Sequence, residues 1–242
     1  MTRLTVVNPN TSAALTAAIT ATARRVAPAG VDVVGTHPAV GVGSVESHAE
    51  EAIAALGVIE QVRAHDSGTD AFVIACFGDT GVAAAREVAT GPVVGITEAA
   101  LQAACLVAHR FTVLTMPART IAHSERVVRD LGLGHRCTVR ALDVPVHDLE
   151  SGSAHLLDAF TAEGRRAIEQ DGAEAVVLGC AGLADLVGPL GAALGVPVVE
   201  GVAAAVGSAA ALVAMGLGTS RRSTFAAVPG LPTLTLTAGA GA

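Results

Sequence analysis

The chain predicts an α/β protein built as two pseudo-symmetric lobes, each a mostly parallel sheet flanked by helices, with a cleft between them. Three observations lead there. Short apolar runs alternate with helix-length stretches from one end to the other, the pattern of a parallel sheet covered on both faces. The alternation is duplicated: Asp70-Ala-Phe-Val-Ile-Ala-Cys76-Phe-Gly78 returns 104 residues later as Glu174-Ala-Val-Val-Leu-Gly-Cys180-Ala-Gly182. Gly91-Pro-Val-Val-Gly95 likewise returns as Val196-Pro-Val-Val-Glu200, and Val6-Val-Asn-Pro9 more weakly as Leu114-Thr-Met-Pro117. Finally, 242 residues that are 51% hydrophobic and 15% charged suffice for a large core.

The strands are read from runs rich in β-branched residues, too short for helices and bounded by turn residues. They fall at 4–7, 31–34, 71–75, 93–96, 111–115, 139–142, 175–178 and 196–199. Helices are expected at 13–26, 47–65, 81–89, 98–108, 121–131, 153–171, 183–194 and 202–215. The first has Thr11-Ser12 as N-cap chemistry and Pro28 beyond its end. The last helix is expected to return to the first lobe. The expected division is therefore residues 1–98 with 205–228 as a discontinuous lobe one, 99–204 as lobe two, and 229–242 as a flexible tail or extended arm.

The composition also excludes partners. A net charge of −7 without a dense basic cluster argues against nucleic acid. Arg24-Arg25, Arg165-Arg166 and Arg221-Arg222 read as solvated faces. The N-terminus lacks the form of a signal peptide. Gly201 to Gly218 is an uncharged stretch of 18 residues, but its Ala and Gly gain little from lipid, and it completes the repeat as a buried helix. Four Cys in a chain of this size fit a reducing, cytoplasmic setting. No Cys-x-x-Cys or His-x-x-x-His spacing offers a metal site, so no metal and no cofactor are expected. The eight His read as surface or supporting residues.

Ligands of parallel α/β sheets bind beyond the carboxyl ends of the strands. Cys76 and Cys180 both follow a predicted strand at that end, and Asn8-Pro9-Asn10, Thr115 and Met116-Pro117 occupy the same end of theirs. The Cys-x-Gly steps allow tight turns into the next helix, whose free N–H groups can stabilise a thiolate or a developing oxyanion. A helix N-terminus lowers a thiol pKa from about 8.5. Two matched thiols across a cleft supply a base on one face of a carbon and an acid on the other, without a cofactor. Cys105 and Cys137 read as packing residues. Gly41-Val-Gly43-Ser-Val-Glu46 lacks the third glycine of a dinucleotide loop.

Four segments resemble the aspartate/glutamate racemase superfamily, in particular its hydantoin racemase branch, which includes allantoin racemases. Val7-Asn-Pro-Asn-Thr-Ser12 is similar to the branch's Asn-Pro-Asn-Thr motif, and Gly43-Ser-Val-Glu46 to its Ser-Ile-Glu loop. Ala75-Cys-Phe-Gly-Asp-Thr-Gly81 resembles Cys-Phe-Gly-Asp-Pro-Gly, with Thr80 replacing the usual proline, and Leu178-Gly-Cys-Ala-Gly-Leu183 resembles Leu-Gly-Cys-Ala-Gly-Met. The resemblance reaches to about residue 225. It implies two Rossmann-like (flavodoxin-like) lobes, a homo-oligomer, and cofactor-independent racemisation by two bases, Cys76 and Cys180. Asn8, Pro9, Asn10, Ser44, Val45, Phe77, Gly78, Asp79, Thr80, Thr115, Pro117, Ala181 and Gly182 become the expected substrate-binding residues.

Amino-acid racemases of the superfamily carry Asn-Thr after the first Cys and Thr-His after the second. Phe77-Gly78 and Ala181-Gly182 stand there in this chain, which favours a neutral cyclic ureide or hydantoin as substrate. Arylmalonate decarboxylases and maleate isomerases carry a Tyr in the loop after the second lobe's first strand, and this chain has none. The leading expectation is racemisation of 5-substituted hydantoins or allantoin through an enolate. The alternatives are a Cys-dependent amino-acid racemase, decarboxylase or isomerase, and a two-lobed binding protein without turnover. Polarimetry on a single hydantoin enantiomer separates them.

Overall fold

The computed structural model describes residues 1–232 and 236–237. Its strands form two four-stranded parallel sheets. The first runs β2 (Val31–Thr36), β1 (Thr2–Val7), β3 (Ala71–Ile74), β4 (Val93–Gly95), and the second β6 (Cys137–Ala141), β5 (Phe111–Thr115), β7 (Ala175–Gly179), β8 (Val198–Glu200). Adding four to each number of the first sheet gives the second, so the repeat seen around the cysteines extends to the topology. The central strands β3, β5 and β7 are buried at every residue; β3 and β7 are apolar throughout, and the two threonines of β5 bury hydroxyls that are hydrogen-bonded to Thr138 and the Gly179 carbonyl.

Between the strands lie α1 (Ala13–Val26), α2 (His48–His65), α3 (Val82–Val88), α4 (Ile96–Val107), α5 (Ile121–Asp130), α6 (Leu157–Arg166), α7 (Val187–Leu194) and α8 (Gly201–Ala214). Ser12 caps α1 by accepting from the Leu15 N–H at 3.2 Å, and Ser47 caps α2 by accepting from the Glu50 N–H at 3.3 Å. The Glu50 carboxylate reaches back to the Ser47 hydroxyl and the Glu46 N–H, so this helix start is tied to the loop before it.

Two stretches expected as single helices are divided. Residues 153–171 comprise a 3-10 turn, α6 and a closing π-turn at Ala167–Asp171. The wider last turn puts the Asp171 carboxylate against Arg140 at 2.6 Å and Thr138 at 3.1 Å on β6, a network the local sequence does not reveal. Residues 181–186 form a 3-10 turn before α7, with the Leu183 N–H on the Cys180 carbonyl at 3.2 Å. The tighter turn buries Leu183 and Leu186 against the second sheet.

Two helices cross between the sheets. β4 runs directly into α4, whose Ala100, Leu101 and Ala104 pack with Phe111, Val113, Ala175 and Val177 of the second sheet. β8 runs directly into α8, whose Val202, Ala205, Val206 and Ala209 pack with Leu4, Val6, Ala71 and Val73 of the first. The crossovers touch: a Cβ on Gly201 would lie 2.8 Å from the Ile96 carbonyl oxygen. Phe72, Phe111 and Phe160 are fully buried, each contributing on the order of 2–3 kcal/mol of transfer free energy. Cys137 begins β6, buried, and Cys105 is half-buried on α4.

Among the described residues no helix is long and apolar enough to cross a membrane, and α8 itself spans 14 residues. Of the expected tail at 229–242, residues 233–235 and 238–242 lie outside the described residues; Arg63 donates to the Leu231 and Pro232 carbonyls.

Candidate active site

The carboxyl ends of both sheets open onto one cavity of about 460 Å³, solvent at its mouth included. Cys76 follows β3 and Cys180 follows β7, and both thiols line it. Asn8, Pro9 and Asn10 come from the turn after β1, and Thr115 and Met116 from the equivalent place at the end of β5. Phe77 and Ala181 complete the steps beside the two thiols. Val45 closes the cavity from the loop before α2, together with Val146, whose N–H donates to the neighbouring Glu46 at 3.0 Å. Phe77 packs on the cores of both sheets and so seals the floor between them.

The polar side chains of the wall are held by one another. Asn8 donates to Asn10 Oδ1 at 2.7 Å and to Thr16 Oγ1 at 3.0 Å, and Asn10 Oδ1 also accepts from the Ser12 N–H at 3.0 Å. Asn10 thereby spends its carbonyl on the protein and keeps its amide N–H groups to offer the cavity. Thr115 donates to the Gly179 carbonyl at 3.1 Å and lies 3.2 Å from the Thr120 hydroxyl. A Cβ on Gly179 would come within 2.7 Å of Thr115, so only glycine lets β7 pass this close. No Asp, Glu, Lys, Arg or His lines the cavity among the described residues.

Electrostatics run against the lowering expected from helix N-termini. Burial pushes the Cys76 thiol up to about 12, despite the Thr80 hydroxyl 3.5 Å from its sulfur, and a charge on Cys180 would raise it further. Burial likewise pushes Cys180 up to about 11, against the backbone N–H groups of Gly182 and Ala181, which favour its thiolate. Both thiols are therefore protonated at neutral pH. Desolvation outweighs the few N–H dipoles that reach each sulfur.

Six expected binding residues lie off the cavity wall. Thr80 is buried behind Cys76 and touches its sulfur. The Gly78 N–H is spent on Thr97 Oγ1 at 2.7 Å, and its carbonyl accepts from Arg126 at 2.8 Å. Asp79, at φ 55°, turns its carboxylate onto the N-terminus of α4, accepting from the Thr97 and Glu98 N–H groups at 2.8 and 2.9 Å. Burial, aided by the Glu98 charge, pushes Asp79 up to about 7 against those two bonds. Gly182 packs against Leu149 and Leu15, Pro117 is buried behind Met116, and Ser44 stands beside Val45 without reaching the wall. Met116, read from the sequence at its strand end, lines the cavity, and Leu15, Ala75, Thr120, Val146 and Gly179 line it unforeseen. For Gly179, position at a strand end of the repeat was the available signal.

Glu200 does for α8 what Asp79 does for α4, from a different place in the repeat. Its own carboxylate caps α8 through the Val202 and Ala203 N–H groups at 2.6 and 2.9 Å. Beside the Cys76 loop, Glu51 of α2 pairs with Arg126 of α5, and with His48 at 3.5 Å and His123 at 3.9 Å. Burial alone would raise Glu51, but the hydrogen bonds and charge of Arg126 outweigh it and hold the carboxylate below its ordinary range. His123 is buried, a supporting residue rather than a surface one, and burial keeps its pKa below the usual imidazole value.

Sequence comparison decides what two sheets with this shared cleft belong to: the profile described as Asp/Glu/Hydantoin racemase matches residues 4–209. The chain belongs to that family. It is 42% identical over 222 residues to the hydantoin racemase of Rhizobium meliloti, covering 91% of this chain and 92% of the relative. The solved allantoin racemase from Klebsiella pneumoniae superposes with a TM-score of 0.91 at 45% identity, covering 94% of each chain. That from Pseudomonas fluorescens gives 0.91 at 38%, covering 97% of this chain and 100% of the other. The family's two-lobed architecture is thus the architecture of this racemase.

Proposed function

We propose that this racemase inverts a neutral hydantoin-type ring, a 5-substituted hydantoin or allantoin, at the ring carbon beside a carbonyl, with Cys76 and Cys180 as its two bases. The observation that carries the reading is the pair of thiols at equivalent strand ends of the two sheets, lining one cavity. A thiolate on one side removes the ring proton, the electron pair passes into the adjacent carbonyl as an enolate, and the thiol on the other side delivers its proton to the opposite face. The roles of the two sulfurs are then exchanged, ready for the mirror-image reaction.

A neutral substrate suits a wall whose polar groups are amides and hydroxyls, because an amino-acid carboxylate would be buried there without a cation. The Ala181 and Gly182 N–H groups favour negative charge at Cys180 and so support its turn as the base. The curated hydantoin racemases and the allantoin racemase structures supply the substrate class.

Polarimetry on a single hydantoin enantiomer tests the reading. Cys76→Ser and Cys180→Ser should each lose at least about a thousandfold in kcat, since a serine hydroxyl is far too weak an acid–base group at this pH. Cys105→Ser and Cys137→Ser should keep most turnover, being outside the cavity. Near-normal rotation decay in either of the first two variants sinks the two-thiol reading. Early product formed in heavy water should carry deuterium while unreacted substrate stays protiated.

A further inference from the structure

Away from the thiol cavity, one group of three metal-type donors comes together among the described residues: His48 and Glu51, one turn apart on α2, and His123 on α5. Their ligand atoms all lie within 4.8 Å of one another. Glu51 Oε2 is 3.5 Å from His48 Nδ1 and 3.9 Å from His123 Nε2. Donors around a tetrahedral zinc with bonds of about 2.0–2.1 Å stand roughly 3.3–3.4 Å apart. Two edges of the triangle are thus near that spacing, and the third closes if His48 turns inward. His48 is free to do so, with its side chain 76% exposed, whereas His123 and Glu51 are fixed by packing.

We propose that His48, Glu51 and His123 form a binding site for one divalent transition cation of the zinc, cobalt or nickel class, bridging α2 of the first lobe to α5 of the second. Two imidazoles and one carboxylate favour such ions over magnesium or calcium, which take all-oxygen shells. Arg126 donates to both carboxylate oxygens, to Oε2 at 3.1 Å and to Oε1, and so fixes the orientation of the carboxylate; the ion would share Oε2 with the guanidinium. Its positive charge also opposes the ion, so affinity is expected in the micromolar range. The fourth position faces solvent at the exposed His48 edge. His123 packs against Gly78, so the bound ion would lie directly behind the Cys76 loop.

Binding is independent of the reaction assigned to the thiols. Titration of the full-length, metal-free protein with Co²⁺ and Zn²⁺ tests it, by calorimetry and by the visible spectrum of the cobalt form. One equivalent should bind, with tetrahedral d–d bands and no thiolate-to-cobalt charge-transfer band. Saturating Zn²⁺ should raise the melting temperature. His48→Ala, on an exposed side chain, and His123→Gln, close to isosteric, should each weaken binding at least tenfold and abolish the zinc-dependent rise, while keeping the metal-free melting temperature near that of the parent. A charge-transfer band, affinity unchanged in both variants, or no binding at millimolar metal would overturn the site.

Discussion

Burial pushes both thiols toward the neutral form, and this sets their chemistry. A base held near 11 or 12 is stronger than an ordinary thiolate, hence better matched to a carbon acid, but rarely present at neutral pH. Deprotonating one sulfur creates the base, and deprotonating both removes the acid. The logarithm of kcat/KM should therefore climb with a slope near one between pH 7 and 9; a plateau by pH 8 would show thiols of ordinary acidity. Thr80 enters the same balance. Its hydroxyl favours the Cys76 thiolate, so Thr80→Val should lower kcat/KM at pH 8 about fivefold, the weight of a hydrogen bond worth ~1 kcal/mol. The loss should be equal from either enantiomer, because the equilibrium constant of a racemisation is one. The presence of matched thiols was legible in the chain, since a repeat displays both copies of a residue. The uses of Asp79 and Gly78 were not, because their partners at Thr97, Glu98 and Arg126 arrive only when β4 lies beside β3 and α5 packs against α2.

At the scale of elements, strands and helices were legible almost throughout, because each strand is a short β-branched run between turn residues. The departures lie where an element's ends answer to distant partners. The π-turn serves Arg140 across β6, and the 3-10 turn after Cys180 serves the core beneath α7. The helix α8 shows both behaviours of glycine. Gly201 permits the close crossing with Ile96, so Gly201→Ala must push the two crossovers apart, costing on the order of 1–3 kcal/mol. Gly207, on the same helix, has open space where a Cβ would go, and Gly207→Ala should raise stability by about 0.5–1 kcal/mol through helix propensity. Thermal or urea denaturation of the two variants reads opposite signs if the packing is as described.

For the whole molecule, the exchange of helices makes each sheet dependent on chain from the other half. Val202, Ala205, Val206 and Ala209 are fully buried against the first sheet although they follow the last strand of the second. A chain ending at residue 200 should therefore lose the first sheet along with α8, giving insoluble or unfolded protein by circular dichroism; a cooperative melt of that fragment would contradict the packing. The repeat predicts two equivalent halves and the return of the last helix to the first lobe, but local periodicity carries no sign of the contact between the two crossovers at Ile96 and Gly201. The same exchange has a bearing on ancestry. A half-length chain that lent its last helix to a second copy of itself would already have this architecture, with a twofold axis through the contact now made by Ile96 and Gly201. In such a pair, one cysteine-bearing loop, arisen once, stands on both walls of the cleft. Joining the copies end to end then frees the two walls to diverge, as Phe77 and Ala181, or Gly95 and Glu200, have done at matched positions.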